Sequence, residues 1–221
     1  DGLHDNGGVG TIPSELSNLK QLGTLQVASA PLLSGTIPSA LSSLSLLDFV
    51  QFTSLDALSG TIPAELSSLT QLDYLFLDSN PALSGTIPAQ LSSLTWVVTL
   101  QLESDPSISG TVPKELSGMT ELQDLSLVSN PAVSGTIPAE LSSLENLSYL
   151  HMFNNTALSG TIPPQLAVLT QLVSLDVSET GVSGTIPAHP YSLTLLTDLG
   201  PYWTPALSAT IPPQPSSPPI A

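Results

Sequence analysis

The chain has 221 residues, of which 41% are hydrophobic and only 9% are charged, so it holds enough apolar side chains for a folded core. Its 18 acidic residues face only two lysines, and the net charge of -16 excludes nucleic acid and anionic membrane surfaces, since both are bound by clustered basic side chains. Cysteine is absent, which excludes disulfides, thiol nucleophiles and thiolate metal sites.

A motif of threonine, then isoleucine or valine, then proline recurs along almost the whole chain. It occurs nine times, and its proline returns at one constant interval, as from Pro13 to Pro38, except that the step from Pro163 to Pro187 is one position shorter. Such a fixed period is the signature of a solenoid, in which each coil buries its apolar residues against its neighbours. We predict a solenoid of about nine coils over residues 1–211, followed by an extended proline- and serine-rich tail over 212–221.

Each unit divides into three predicted elements, here taken in chain order from one typical copy. Residues 59–61 predict a short strand that ends at a proline, because proline donates no hydrogen bond to a sheet. Residues 64–71 carry two leucines three positions apart, which predicts a 3₁₀ or helical turn. Residues 72–78 alternate leucine with other side chains, which predicts a second strand with its leucines pointing inward.

The pattern Leu-x-x-Leu-x-Leu-x-x-Asn, followed by Leu-x-Gly-x-Ile-Pro, resembles the plant-type leucine-rich repeat, which also occurs in algae and protists. The resemblance covers residues 3–212 and implies an α/β solenoid: a right-handed coil with a parallel concave sheet, short 3₁₀ or helical turns and a second small parallel sheet. In that family the asparagine after the concave strand hydrogen-bonds backbone groups inside the coil. The equivalent positions here hold Asn6, Asn80, Asn130 and Asn155, whereas Ala30, Leu55, Asp105 and Thr180 are expected to interrupt the asparagine ladder.

Both ends depart from the pattern of that family. No cysteine-bearing cap precedes Leu3, and Gly200 and Pro201 occupy strand positions in the last unit. Solenoid ends without caps expose apolar coils and unpaired strand edges. Three explanations stay open: the chain is a fragment, unusual capping segments suffice, or another protomer covers the ends.

Candidate catalytic and metal-binding side chains are few. Three histidines lie on distant coils, at His4, His151 and His189, and the middle one is expected to be a solvated surface residue. An acidic group lies on adjacent coils and consists of Asp78, Glu103 and Asp105. It is interpreted as a weak Ca²⁺ site, a carboxylate pair or a solvated acidic edge. Without an Asp-rich binding loop the solvated edge is favoured. We predict a protein that is not an enzyme and has neither a cofactor nor a metal.

The outward positions of the concave strands vary from coil to coil, as recognition of an irregular ligand requires. Three aromatic residues on successive coils are candidates for anchoring a peptide or a sugar ring, and the alternative is ordinary cross-strand packing. The candidate recognition residues are Phe49, Tyr74, Phe76, Gln101, Tyr149 and His151.

The outward positions of the other strand are strictly periodic. A threonine column is expected beside a serine column on the same face, free of charge and repeating at about 4.8 Å. Such arrays resemble the ice-binding faces of other repeat proteins, while lateral packing, O-glycosylation, strand propensity and recent duplication stay open as explanations. The threonines are Thr11, Thr36, Thr61, Thr86, Thr111, Thr136, Thr161, Thr185 and Thr210. The serines are Ser34, Ser59, Ser84, Ser109, Ser134, Ser159, Ser183 and Ser208.

Two N-glycosylation sequons begin at Asn146 and Asn154, both expected to point outward. With the tail, which resembles hydroxyproline-rich wall glycoproteins, they favour an extracellular address at a cell surface or wall. The leading hypothesis is a non-catalytic structural or protein-interaction module whose partner is a protein, a glycan or its own copies, stacked end to end into a fibre. The alternatives are an ice-binding protein that uses the Ser-x-Thr ladder and a ligand-recognition ectodomain that uses the concave face.

Overall fold

The structure is a computed structural model that describes residues 3–4, 10–187, 193–200 and 207–208. Asn6, His189, Thr210 and the predicted tail over 212–221 lie outside the described residues. The described chain is a solenoid built from two kinds of parallel strand joined by short turns, as the repeat predicts.

Within the described residues, the concave sheet has eight parallel strands, which come from successive coils. Each residue pairs with the residue at the same position of the next coil, so that Tyr74 lies between Phe49 on one side and Thr99 on the other. The sequence period is therefore also the pairing register of this sheet. Its strands are Leu3–His4, Thr24–Ala28, Phe49–Thr53, Tyr74–Phe76, Thr99–Gln101, Asp124–Ser126, Tyr149–His151 and Ser174–Asp176.

The second sheet consists of seven parallel strands, and a shorter pair of strands precedes it. An isolated bridge between Gly35 and Leu58 connects the pair with the larger sheet. The seven strands are Gly60–Thr61, Leu83–Thr86, Ile108–Thr111, Val133–Thr136, Leu158–Thr161, Gly181–Thr185 and Leu207–Ser208, and the pair is Gly10–Thr11 with Leu33–Ser34.

A five-residue 3₁₀ helix follows the proline of each described coil from Pro13 to Pro163. The proline is in an extended conformation, and its carbonyl accepts the first hydrogen bond of the turn, as in the 3.1 Å bond from the Leu66 N–H to the Pro63 carbonyl. The 3₁₀ helices are Ser14–Asn18, Ser39–Ser43, Ala64–Ser68, Ala89–Ser93, Lys114–Gly118, Ala139–Ser143 and Pro164–Val168. Within the described residues, no helix is long and apolar enough to cross a membrane.

One continuous apolar core fills the coils from Ile12 to Ile186. In the typical coil, the two leucines of the 3₁₀ turn and the inward leucines of the strand are all buried, as predicted. Because no coil can bury these side chains alone, stacking of consecutive coils supplies the main stabilisation of the fold.

Candidate functional site

Three buried asparagines form a hydrogen-bonded ladder along the inside of the concave sheet: Asn80, Asn130 and Asn155. Each side-chain oxygen accepts a backbone N–H from the preceding coil, as in the 2.8 Å bond from the Asn130 N–H to the Asn155 Oδ1. Each Nδ2 donates to a backbone carbonyl of the preceding coil, as Asn80 does to Phe52 at 2.8 Å. The ladder role implied by the family pattern is therefore present at these three positions.

The predictions that Asp105 interrupts this ladder, and that it belongs to a solvated acidic edge, are wrong. The side chain is fully buried, and its Oδ1 accepts the Asn80 N–H at 2.6 Å, as a ladder asparagine would. Its Oδ2 is buried with no hydrogen-bond partner in the described chain, at the position where an asparagine carries its donating nitrogen. Burial raises the pKa of Asp105 to about 8, so the carboxyl is protonated at neutral pH. Its place in the sequence, one repeat after Asn80 and one repeat before Asn130, is the signal that identifies it.

The carboxylates of Asp78 and Glu103 accept hydrogen bonds from residues of the next coil. An oxygen of Asp78 accepts the Glu103 N–H at 3.2 Å, and the Ser126 hydroxyl donates to the Glu103 carboxylate. Burial, with the nearby Glu103 charge, raises the pKa of Asp78 to about 7, and burial raises the pKa of Asp124. In the residues described, no group of three or more acidic, histidine or cysteine side chains is arranged to hold a metal ion.

His151 is half-buried and not a fully solvated residue, which corrects the expectation for it. Its Nε2 lies 2.9 Å from the Ser174 hydroxyl, and that hydroxyl donates to Asp198 at 3.4 Å. The three residue types are those of a hydrolase triad, but the connectivity differs. In a triad the carboxylate orients the histidine, whereas here it contacts the serine, which is itself buried. The group therefore lacks the arrangement that activates a serine nucleophile.

The concave recognition residues fall into two groups. The first is an aromatic cluster of Phe49, Tyr74 and Phe76, with ring centroids 5.5 to 6.3 Å apart and the last two rings stacked. Tyr74 is 39% exposed, and the two phenylalanines are partly exposed. The three packed rings therefore form a partly exposed apolar patch on the concave face.

The second group lies further along the same face, where the rings of Tyr149 and His151 are 6.0 Å apart. Gln101 lies between the two groups in the order of the strands, and its amide donates to Asp124 at 3.4 Å. The concave face thus changes along the solenoid from aromatic to acidic and then to mixed character.

The threonine wall consists of the eight described threonines of the periodic column, from Thr11 to Thr185, and all eight are exposed. The serines beside them do not present free donors. Each described serine from Ser34 to Ser183 donates its hydroxyl to the glycine carbonyl of the previous coil at 3.0 to 3.2 Å. The expected double ladder therefore presents only the threonine hydroxyls as free donors.

The glycine between each serine and threonine is required by the stacking of the coils. Gly85 has a φ of +84°, in the left-handed region that favours glycine. A Cβ added to it would lie 2.8 Å from the Thr61 Cγ2, and the same close contact recurs in the other coils. Each threonine methyl therefore packs on the next glycine, which gives the threonines the same side-chain orientation.

The pairing of the second sheet places equivalent threonines further apart than expected. Thr61 pairs with Ser84, and Thr111 pairs with Ser134, so each threonine lies opposite a serine and not opposite the next threonine of the column. Equivalent threonines are therefore shifted along the strands as well as across them, so the expected repeat of about 4.8 Å is too short. The wall also borders open grooves of about 990 and 790 Å³ against the 3₁₀ turns, lined by threonine, proline and alanine.

The two sequon asparagines differ in their surroundings. Asn146 is exposed, and its Nδ2 donates to the Thr120 carbonyl at 3.1 Å. Asn154 is half-buried, and its Nδ2 donates to the Ser129 hydroxyl at 3.0 Å. Both amides contact the preceding coil, so the difference between the two sites is exposure, and the exposed Asn146 is the more accessible to a glycan.

The sequence analysis does not predict a cavity of about 350 Å³ at the edge of the concave sheet. We call it the edge notch, and its lining residues are Leu46, Asp48, Gln71, Asp73 and Trp96. The signal that identifies it is a departure from the repeat, because leucine and tryptophan stand there in a column that is otherwise polar from Gln21 to Gln171.

Comparison with solved structures shows a leucine-rich repeat fold. One similar structure is the leucine-rich repeat ectodomain of the Arabidopsis thaliana membrane receptor kinase GASSHO1/SCHENGEN3, in complex with CASPARIAN STRIP INTEGRITY FACTOR 2. Its sequence is 30% identical to this chain, and the TM-score is 0.75. The match covers 90% of this chain and 23% of that one. The PEPR1–AtPEP1 structure is 32% identical with a TM-score of 0.74, over 86% and 27% of the two chains. This chain therefore spans about a quarter of the length of these receptors.

A third similar structure is a plant ice-binding protein, 24% identical with a TM-score of 0.57, over 91% of this chain and 81% of that one. At that identity the likeness concerns the fold alone. No protein-family model matches the chain, and no curated protein sequence matches it.

Proposed function

We propose that this leucine-rich repeat protein is a non-catalytic binding module that recognises a protein partner through its concave face. The observation that carries the proposal is the aromatic cluster of Phe49, Tyr74 and Phe76, three packed and partly exposed rings on a chain with only 5% aromatic residues. Large aromatic side chains that lose their remaining exposure on binding are the usual anchors of protein interfaces. The similar receptor structures, solved with CASPARIAN STRIP INTEGRITY FACTOR 2 and AtPEP1, support a peptide or protein as the partner.

The test compares two surfaces of the same folded protein. Partners are recovered with the immobilised protein from the secreted fraction of its source cells, purified, and titrated by calorimetry against the wild type and two variants. Phe76→Ala removes an anchor and is expected to weaken binding at least tenfold. Thr86→Lys alters the threonine wall and is expected to leave binding unchanged. A partner that binds both variants with wild-type affinity would overturn the assignment to the concave face.

An extracellular address is part of the same proposal. It is supported by the exposed sequon asparagine Asn146 and by the ectodomain character of the similar receptor structures. Intact mass measured on protein from its natural source, compared with an Asn146→Gln variant, is expected to differ by one glycan. Equal glycan content in the two would remove this support.

End-to-end self-association is a subordinate proposal. A second copy stacked on a terminal coil would extend both parallel sheets and bury apolar side chains, in the way that neighbouring coils do within the chain. Mass photometry of natural material is expected to show particles with a mass greater than that of one chain. A uniform monomer mass at high protein concentration would contradict it.

Ice binding is a second candidate function, and the threonine wall is the observation that favours it. Eight exposed threonines in equivalent orientations, without a charged residue in the column, form a regular array of methyl and hydroxyl groups. Thermal hysteresis and inhibition of ice recrystallisation are expected to disappear in Thr86→Lys and Thr111→Lys if this surface contacts ice. An inactive wild type, or variants with unchanged activity, would exclude the candidate.

A further inference from the structure

We propose that the edge notch is a binding site for an arginine side chain of the protein partner. The notch lies beside the aromatic cluster, because Asp48 and Asp73 directly precede Phe49 and Tyr74 in the chain. The inference rests on the proposed binding function of the concave face and names the chemistry of its partner.

Two of the residues that line the notch are large, apolar and exposed. Trp96 is 61% exposed and Leu46 is 48% exposed, on coils that flank the coil of Gln71. The equivalent positions of the other coils from Gln21 to Gln171 are polar, so the two apolar residues stand only where the notch is. An indole and an aliphatic side chain that line the same notch suit the flat guanidinium and the stem of an arginine.

The lining of the notch also holds two carboxylates, Asp48 and Asp73, that form no ion pair in the described chain. Asp48 and Asp73 lie on adjacent coils, and the residue at this position in the preceding coil is Gly23 and in the following coil is Val98. Neither carboxylate has an ion pair or hydrogen bond with another side chain in the part of the chain that the structure describes. Two neighbouring carboxylates match the forked donors of an arginine guanidinium. They bind it more strongly than the ammonium of a lysine, which is a single point charge.

The occupant is a different protein and not a second copy of this chain. The chain contains no arginine, and its two lysines lie elsewhere on the fold. One of them, Lys20, donates to the side chain and the carbonyl of Ser43 at 2.9 and 3.3 Å. The net charge of the chain is -16, so the acidic notch attracts a basic segment of another protein more strongly than a second copy of this chain.

The test uses 5-fluorotryptophan-labelled protein and ¹⁹F NMR, since the chain has only two tryptophans, Trp96 and Trp203. Trp96→Phe assigns the two resonances. Three nine-residue serine–glycine peptides serve as probes, with three arginines, three lysines or three citrullines, because citrulline keeps the shape of arginine without its charge. The arginine peptide is expected to shift the Trp96 resonance saturably, the lysine peptide to bind several-fold more weakly, and the citrulline peptide to leave the resonance unchanged.

Charge variants identify the notch as the source of the binding. Replacing both notch aspartates, Asp48→Asn with Asp73→Asn, is expected to weaken the arginine peptide at least tenfold. A matched control, Asp56→Asn with Glu140→Gln, removes the same charge from two exposed positions away from the notch and is expected to change affinity less than twofold. Equal losses in the two double variants would reduce the effect to general electrostatic attraction and overturn the site.

Two further outcomes overturn the proposal in different ways. Equal binding of the citrulline peptide, or a Trp96 shift caused by a neutral oligosaccharide such as cellohexaose and not by the arginine peptide, would make the notch a site for uncharged ligands. A purified partner that depends on Phe76 but is insensitive to the aspartate variants would leave the concave binding function in place while excluding the notch. Loss of both dependences would exclude the two proposals together.

Discussion

The two sheets of this solenoid differ in what their outward residues do. In the second sheet, serine, glycine and threonine repeat in the coils from Ser34 to Thr185, and each has a contact with the neighbouring coil: a serine hydrogen bond, a left-handed glycine and a threonine methyl. In the concave sheet the equivalent outward positions hold residues as different as Phe76, Gln101 and His151. Their backbones pair in the same way from coil to coil, so the stacking does not dictate their side chains.

The difference teaches that repetition alone does not indicate a binding surface. The uniform serines and glycines have a structural reason, because replacing either one disturbs the packing of consecutive coils. The varied concave positions lack that constraint, and they hold the aromatic cluster and border the edge notch. This contrast is why we place partner recognition on the concave face and give the threonine wall second place.

The largest expected effect concerns the core that both sheets share. Leu75 is fully buried, so Leu75→Asp places an unpaired charge in the core and is expected to cost more than about 3 kcal/mol of unfolding free energy. Gln51→Asp, which adds the same charge at an outward position of the adjacent coil, serves as the control. Urea midpoints measure both, and equal midpoints would refute the assigned inward and outward faces.

The next effect concerns the buried ladder behind the concave sheet. Because the pKa of Asp105 is raised from 3.8 to about 8 on folding, the folded protein holds a proton that the unfolded chain releases. The contribution of this proton to the free energy of unfolding is therefore fully present below pH 4. It falls as the pH rises toward 8, by up to about 1.4 kcal/mol per pH unit. Asp105→Asn places an uncharged donor there at every pH and is expected to stabilise the protein by about 2 to 4 kcal/mol at pH 8.

Chemical denaturation between pH 4 and pH 9 measures this effect. The Asp105→Asn variant is expected to lose part of the pH dependence, while the raised pKa values of Asp78, about 7, and of Asp124 retain the rest. Asp56→Asn changes an exposed carboxylate and is expected to follow the wild-type curve. Identical pH slopes for the wild type and Asp105→Asn would contradict a protonated ladder residue.

A smaller effect tests the stacking of the second sheet. Gly85→Ala forces a side chain into a left-handed conformation and against the Thr61 methyl, at an expected cost of about 1 to 3 kcal/mol. Thr61→Ser removes that methyl and is expected to recover part of the loss in the double variant. Gly23→Ala, whose added Cβ has no neighbour closer than 3.8 Å, is expected to be nearly neutral. Thermal unfolding of the four variants would contradict the contact if the double variant showed no recovery.

The smallest effect separates the serine column from the threonine wall. Ser84→Ala removes the 3.0 Å hydrogen bond to the Gly60 carbonyl and is expected to cost about 1 kcal/mol. Thr86→Val keeps the methyl and the shape of an exposed residue and is expected to change stability by less than about 0.5 kcal/mol. Comparable losses in the two variants would show that the threonine hydroxyl also has a structural role.

The sequence by itself determined the architecture. A proline motif at a constant interval and leucines at fixed phases dictate coils that stack, because only stacking removes those leucines from water. The same period gives the register of the concave sheet, the position of the 3₁₀ turns after each proline and the inward direction of Asn80, Asn130 and Asn155.

The tertiary structure decided the features that depend on what surrounds each residue. A carboxylate at position 105 is an interruption in the sequence but a member of the ladder in the fold, because burial keeps it protonated. The shifted pairing of the second sheet, and the notch that Leu46 and Trp96 line from either side of an intervening coil, arise from the path of the backbone between coils. A one-dimensional period fixes which residues are equivalent, whereas the distances between them depend on the curvature and shift of the stacked coils.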